Sequence, residues 1–253
     1  MKALITGASS GIGRDIAIYL SKKGYDLILV ARDKKELEEV KHIIKTNARI
    51  IDLDLTIEDN CYKLYELVKK DNIDILVNNA GFGVFGKFDK TDLDIELEMI
   101  NLNIKAVNIL TKLFLRDMKK RNKGYILNVS SSSAFQAGPL MAVYYATKAY
   151  ILRLTLAIYE ELRREKSKVV VSVLCPGPVR TNFNKVANVE FELRSLSSGY
   201  VAKYGIDMMF KNKLVIVPGF YMRFLHLLSR ILPTKLALVI TYNIQRRKTS
   251  KKL

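Results

Sequence analysis

The run Thr6-Gly7-Ala8-Ser9-Ser10-Gly11-Ile12-Gly13 lies between a short apolar stretch and a segment whose hydrophobic residues recur every three to four positions. Glycines at that spacing let a strand turn sharply into a helix and leave the backbone open to close approach by another group. If the alternation continues, such a chain is committed to a parallel sheet, because each helix returns the chain to the same end of the next strand. It does continue. Short β-branched runs occur at 3–6, 26–30, 49–53, 73–77, 125–129, 168–174 and 214–217, and amphipathic stretches occupy 12–23, 34–46, 57–70, 93–120 and 144–165. The pattern predicts the α/β class, with seven parallel strands in a single doubly wound domain over residues 1–218. In 253 residues without a repeat, linker or low-complexity stretch, a second unrelated domain has no room.

Composition narrows the chemistry. Hydrophobic residues make up 49% of the chain and charged residues 26%, enough to bury a core and too apolar for a disordered protein. Lys and Arg total 42 against 25 acids, a net +17, so nucleic acid, a membrane surface and a phosphate-bearing ligand compete as anionic partners. Cys61 and Cys175 are far apart and belong to no CxxC motif, and His42 and His226 have no ligand spacing. No metal site and a reduced, cytoplasmic setting are therefore expected. The first residues enter an apolar run at once, which is not the pattern of a secretory signal.

The glycine-rich turn suits a pyrophosphate at a helix N-terminus, although the same spacing also serves a turn without a ligand. Arg32 ends the second predicted strand, where an NAD-selecting fold places an acid for the ribose 2′-hydroxyl. A guanidinium there can take a 2′-phosphate, which favours NADP(H) over NAD(H), with the adjacent Asp33 opposing. The competing reading is a solvated arginine at a helix start. Tyr144 and Lys148, spaced i and i+4 on a helical stretch, share a face, and a lysine charge there is expected to lower the phenol's pKa.

Five motifs taken together, TGASSGIG at 6–13, Asn78-Asn79-Ala80-Gly81, Ser130-Ser131, Tyr144-x-x-x-Lys148 and Pro176-Gly177-Pro178-Val179-Arg180-Thr181, resemble the short-chain dehydrogenase/reductase family in order and spacing. The resemblance implies a Rossmann-like domain. It also implies that Ser131 holds a substrate carbonyl oxygen and that Tyr144, rather than Tyr145, exchanges the proton. Lys148 would depress the Tyr144 pKa and bond the nicotinamide ribose. Asn103 would support Lys148, with Asn101 the alternative. For the cofactor the resemblance implies Gly7, Ser9, Ser10, Gly11, Ile12 and Gly13 at the turn, with Arg32, Asp54 and Leu55 toward the adenine end. Asn79, Ala80 and Gly81 would line the ribose, and Pro176, Gly177, Val179 and Thr181 the nicotinamide. Asp54 has a structural alternative, a helix-start charge ahead of Thr56. Stretches 93–120 and 144–165 resemble those that pair subunits in the family, implying a homo-oligomer.

Residues 219–253 differ from the rest. From residue 201 onward eleven bases face one acid, +10 of the total +17. The apolar stretch 220–244 is broken by charges and by Pro233, which is expected to separate two short helices rather than permit a membrane span. Arg223, His226 and Arg230 form a basic stripe on an otherwise apolar helix. An anionic membrane interface at the inner face, a lid over the pocket and an oligomer contact all suit this extension. The segment 182–199, with Phe183, Phe191 and Leu193, is expected to cover the pocket. Nucleic acid is disfavoured, since the tail lacks interleaved aromatics. The expectation is an NADPH-dependent reductase of an apolar carbonyl substrate; the alternative is an NADP(H)-binding sensor or membrane adaptor without turnover.

Overall fold

A computed structural model describes residues 1–181, 195–229 and 232–246. Its chain order begins β1 (Lys2–Thr6), α1 (Gly11–Lys22), β2 (Asp26–Ala31), α2 (Lys34–Ile43), β3 (Ala48–Asp52), α3 (Glu58–Val68) and β4 (Ile75–Asn78). It continues through α4 (Leu93–Ile100), α5 (Val107–Arg121), β5 (Gly124–Val129), α6 (Ala142–Arg164) and β6 (Val169–Leu174). Two short strands, β7 (Val179–Arg180) and β8 (Leu196–Ser197), precede α7 (Ser198–Phe210) and the edge strand β9 (Val215–Ile216). The chain then forms α8 (Phe220–Ser229) and α9 (Thr234–Arg246).

Seven strands form one parallel sheet in the order β3-β2-β1-β4-β5-β6-β9. Side chains alternate between its faces. Ala3 and Ile5 pack with Ile16, Leu20 and Leu37 and with Val201 and Ile206, placing α1, α2 and α7 on one side. Leu4 packs with Leu64, Phe114 and Met118, which brings α3 and α5 to the other. With both faces covered, the central strands are continuously buried, and this is why they read as unbroken β-branched runs. The strand order reverses between β1 and β4. The connections leaving the carboxyl ends of those two strands run to opposite sides of the sheet, and a crevice opens between them where such sheets take ligands.

Three elements differ from the sequence expectation. The stretch 93–120 is not one regular helix: a π-helical segment, Asn101–Ala106, joins α4 to α5. An inserted residue of this kind turns a side chain out of the α-helical register, and here it turns Asn103 inward. Helix α7 was absent from the periodicity reading and begins inside the expected pocket-covering segment. Its buried positions Val201, Ala202, Gly205, Ile206 and Met209 have helical spacing, but two glycines mask it. Gly205 lets the helix pack closely on β6, for a Cβ there would come 3.0 Å from Leu174 Cδ2. Phe183, Phe191 and Leu193 lie outside the described residues. Helices α8 and α9 do flank Pro233 as expected. Of the expected basic stripe only the Arg223 side chain is described; although exposed, it folds back onto the domain, donating to Val217 O at 3.1 Å and to Tyr204 Oη at 2.8 Å and stacking on the Tyr204 ring. Arg230, Arg247, Lys248, Lys251, Lys252 and the side chain of His226 lie outside the described residues.

Candidate active site

At the switch point the backbone carries the geometry. Gly7 and Gly11 have φ of +63° and +55°, and a Cβ on Gly7 would come within 2.8 Å of Ala80 Cα. At Gly13 a Cβ would fall on the Gly7 carbonyl oxygen, so the helix start can press against the turn only with glycine there. Asn79 ties the two strand ends together: its Nδ2 donates to Thr6 O at 3.0 Å and Gly7 O at 3.1 Å. Thr6 Oγ1 accepts from the Asn79 and Ala80 amides at 3.0 and 3.1 Å. Thr6 is a site residue that the sequence reading passed over, although it opens the same motif. Ser10 caps α1 without a side-chain hydrogen bond to the first turn, and no acid stands in that turn, so the helix start suits an anion. The turn therefore fits a dinucleotide: a cradle that any side chain would fill, with the positive end of a helix behind it.

Arg32 sits at the end of β2 with its side chain 67% exposed and its Nη1 3.8 Å from Asp54 Oδ2. Its neighbour Asp33 caps α2, accepting from the Glu36 amide at 3.0 Å, so that carboxylate is already engaged. Asp54 accepts from Thr56 N at 2.9 Å and from Thr56 Oγ1 at 2.8 Å, which makes it a turn residue ahead of α3 rather than a charge in its first turn, and it borders the cavity.

The other wall comes from β5, β6 and α6. Tyr144 and Lys148 stand one turn apart on α6, with the Lys148 Nζ 5.8 Å from the Tyr144 ring centroid. The Ser131 and Ser133 hydroxyls lie close enough to the Tyr144 hydroxyl to act on its protonation. Ser130 faces away, donating to Lys148 O at 2.7 Å, which separates its structural role from that of Ser131. Asn103, rather than Asn101, reaches the site: its Oδ1 accepts from Phe82 N at 3.2 Å, and its Nδ2 donates to Phe82 O and Thr147 Oγ1, both at 3.0 Å. Gly81 is pinched between them, for a Cβ there would lie 2.7 Å from Asn103 Oδ1 and 3.2 Å from Lys148 Nζ. A buried chain of polar groups holds α6 against the strands. Asn78 Nδ2 donates to Thr111 Oγ1 and Asn128 Oδ1, both at 2.9 Å, and Asn128 Nδ2 donates to Thr155 Oγ1 at 3.0 Å.

The electrostatics correct one expectation. Burial pushes the Tyr144 phenol up to about 12, with the Ser131 and Ser133 hydroxyls opposing that rise. Lys148 does not lower it here; burial instead pulls the Lys148 ammonium down to about 8, and its Nζ donates to Val129 O at 3.2 Å. Desolvation is the largest influence on both groups, and it disfavours the charged form of each.

These walls enclose a cavity of about 690 Å³. Of the residues to which the resemblance gives a catalytic or cofactor-binding role, all border it except Gly13 and Asn103, which lie behind its wall. It has one further wall that the sequence did not announce. Gln245 of α9 reaches in, 1% exposed, and donates through Nε2 to the Tyr145 hydroxyl. Met222 of α8 packs against Gly177 in the loop after β6. Among the described residues no group of His, Cys, Asp and Glu could hold a metal ion, and no helix is long and apolar enough to cross a membrane.

Residues 1–190 match the short chain dehydrogenase family, and the chain belongs to it. Its relatives include an uncharacterized oxidoreductase of Staphylococcus epidermidis, 37% identical over 183 residues, 71% of this chain and 78% of that one. Human very-long-chain 3-oxoacyl-CoA reductase is 37% identical over 192 residues, which cover 73% of this chain and only 61% of the human one. Among solved structures, a short-chain dehydrogenase from Sphingobium yanoikuyae in complex with NADPH superposes with a TM-score of 0.82 at 28% identity, covering 90% of this chain and 92% of that one.

Proposed function

We propose that this protein is an NADPH-dependent reductase that converts the carbonyl of an apolar ketone, aldehyde or 3-oxoacyl substrate to an alcohol. The observation that carries this reading is that Tyr144, Ser131 and Lys148, the last one helical turn from the tyrosine, stand together on the wall of a cavity whose other end is the glycine cradle. The NADPH of the Sphingobium structure and the 3-oxoacyl substrate named for the human relative support the cofactor and the substrate class.

When bound, the nicotinamide supplies the hydride; the chain supplies the rest. Ser131 holds the carbonyl oxygen and so polarises the carbon. Tyr144 keeps its proton at neutral pH because burial holds its pKa high, and it delivers that proton to the same oxygen as an alkoxide forms. Lys148 orients the ribose and, when charged, favours the phenolate left behind. Asn103, fixed by Phe82 and Thr147, positions Lys148 through the Gly81 segment. Gly7, Ser9, Ser10, Gly11, Ile12 and Gly13 hold the pyrophosphate, and Arg32 takes the 2′-phosphate by leaving its loose pairing with Asp54. Leu55, Asn79 and Ala80 line the adenosine half, while Pro176, Gly177, Val179 and Thr181 line the nicotinamide.

Residues 219–253 act as an extension of the 1–218 catalytic domain that rests on an anionic membrane surface. Phe220, Tyr221, Phe224 and Leu227 of α8 are exposed, as are Leu236, Val239, Ile240 and Ile244 of α9, with Lys235 and Arg246 beside them. So large an apolar face is unusual on a free surface. The outer faces of α5 and α6 pair subunits into a homo-oligomer, which light scattering would register as a multiple of 28.8 kDa. The test of the chemistry is NADPH oxidation across carbonyl classes. Tyr144→Phe, which keeps the ring and removes the proton donor, is expected to lose roughly 10²- to 10⁴-fold in kcat; turnover near the wild-type rate would end the proposal.

A further inference from the structure

Helix α9 is inside out. It buries Thr241 and Gln245, four residues apart on its inner face, and exposes Leu236, Val239, Ile240 and Ile244. Thr241 spends its hydroxyl within its own helix, donating to Ala237 O at 2.8 Å. Gln245 cannot do so. Its carboxamide lines the cavity, its Nε2 donates to the Tyr145 hydroxyl, and its Oε1 has no hydrogen-bond partner among the described residues. A leucine at this position would seal the cavity without leaving a buried carbonyl unpaired, so the amide answers to something other than packing.

Tyr145 is the other half of the arrangement. It neighbours the proton-donating tyrosine, and the two rings meet edge to face with centroids 6.2 Å apart. Its ring lies flat against Gly138, where any side chain would overlap it. Burial holds its phenol protonated, so after accepting from Gln245 it still has its own proton to donate. The pair thus offers the cavity donors, the Tyr145 hydroxyl and the second N–H of Gln245 Nε2, beside an acceptor, Gln245 Oε1. Exchanging the oxygen and nitrogen of the carboxamide reverses which residue gives and which takes but leaves the same complement.

We infer that Gln245 and Tyr145 form a specificity-determining pair that recognises a second polar group on the substrate, one that both donates and accepts, a hydroxyl or a secondary amide on the chain that bears the reacting carbonyl. The inference rests on the reductase reading and deepens it. It makes the C-terminal helix part of the substrate site, and it limits the favoured substrates to apolar carbonyl compounds with one such group rather than simple ketones.

The test uses the full-length protein and matched pairs of medium-chain ketones, each parent compared with derivatives that carry a hydroxyl or an N-alkyl amide at successive positions. At the best position the wild-type kcat/KM for the derivative is expected to exceed that for the parent by roughly tenfold or more. Tyr145→Phe and Gln245→Leu should each bring that ratio close to one, mainly by raising KM for the derivative. Tyr145→Phe retains the ring on Gly138 and decides the matter if Gln245→Leu does not fold. The inference is overturned if no derivative is preferred, or if both variants keep the preference. Calorimetric binding of the same pairs to Tyr144→Phe loaded with NADP+ reads the preference without turnover. If the wild-type protein reduces no ketone, the reductase reading falls, while selective binding that the two substitutions abolish upholds the pair and its absence removes it.

Discussion

The two ends of the cavity are built on opposite plans. At the nucleotide end the contacts are made by backbone: Gly7 and Gly13 lie too close to their neighbours for a side chain, and Thr6 and Asn79 lock the ends of β1 and β4 together. Every element there belongs to the sheet or to a helix that packs apolar residues onto it. At the substrate end a helix outside the sheet turns polar groups inward and apolar ones outward. The first plan is rigid because the topology of the sheet leaves it no alternative. The second depends on how a helix outside the sheet packs, through Thr241 and Gln245, against the rest of the chain.

The largest effect that would test this contrast is at Gly13. A methyl group there would meet the Gly7 carbonyl and the Asn79 amide, neither of which can yield without moving a strand end. Gly13→Ala is expected to cost about 3 kcal/mol or more in stability and most of the affinity for NADPH, the upper range for an overpacked site. Urea denaturation and NADPH fluorescence titration measure the two losses. A variant of wild-type stability that binds NADPH normally would show that the cradle is not rigid.

Lys148 lies where the two ends meet. Its charged form is disfavoured by burial, so folding carries the full cost below the folded pKa of about 8, and the cost is relieved as pH rises from there toward 10.5, where the unfolded chain also loses the proton. Lys148→Met is therefore expected to raise stability at pH 7 by up to ~3 kcal/mol while abolishing turnover. The difference from wild type should shrink between pH 8 and 10.5. Denaturant midpoints across that range check it, and a gap that stays constant would mean the lysine is not desolvated.

Arg32→Glu probes the nucleotide end at its exposed rim. Loss of a charge-assisted bond to a phosphate is worth about 1.5–3 kcal/mol, so the NADPH-over-NADH ratio of kcat/KM should fall roughly 10- to 100-fold. An unmoved ratio would assign Arg32 to its pairing with Asp54 alone.

The same contrast explains what could be read from the sequence. Tyr144 and Lys148, the turn at 6–13 and the seven strands are local patterns, and local spacing dictates where their side chains point. The resemblance points to Asn103, with Asn101 as the alternative, but gives no sign of the π-helical segment that holds both, because one inserted residue leaves no mark on an apolar periodicity. Gln245 could not be read at all. Its helix has the amphipathic spacing, but which face turns inward depends on a contact with Tyr145, one hundred residues earlier. The direction of the Tyr144 shift differs from the expectation for a related reason: the i, i+4 lysine is visible in the sequence, whereas the burial that raises the phenol is a property of the folded chain.

The smallest expected change in stability is on the outer face of α9. Val239 is 58% exposed and Leu236 48%, so replacing either with serine removes little buried area, and each should shift stability by no more than about 0.5 kcal/mol. Binding to vesicles is where the effect should appear. With Lys235 and Arg246 beside an apolar stripe, the wild-type protein should sediment with phosphatidylglycerol vesicles more than with phosphatidylcholine ones, and less as salt rises. The double variant Leu236→Ser/Val239→Ser should bind several-fold more weakly, since each lost apolar contact with lipid removes transfer free energy at about 25 cal/mol per Å². Because Gln245 lies on the opposite face of the helix, kcat/KM toward a water-soluble ketone should be retained. If instead the double variant loses 2 kcal/mol or more of stability in a concentration-dependent way, the apolar face is covered by a second copy of the chain, and the outward half of the helix is an oligomer contact rather than a lipid-facing surface.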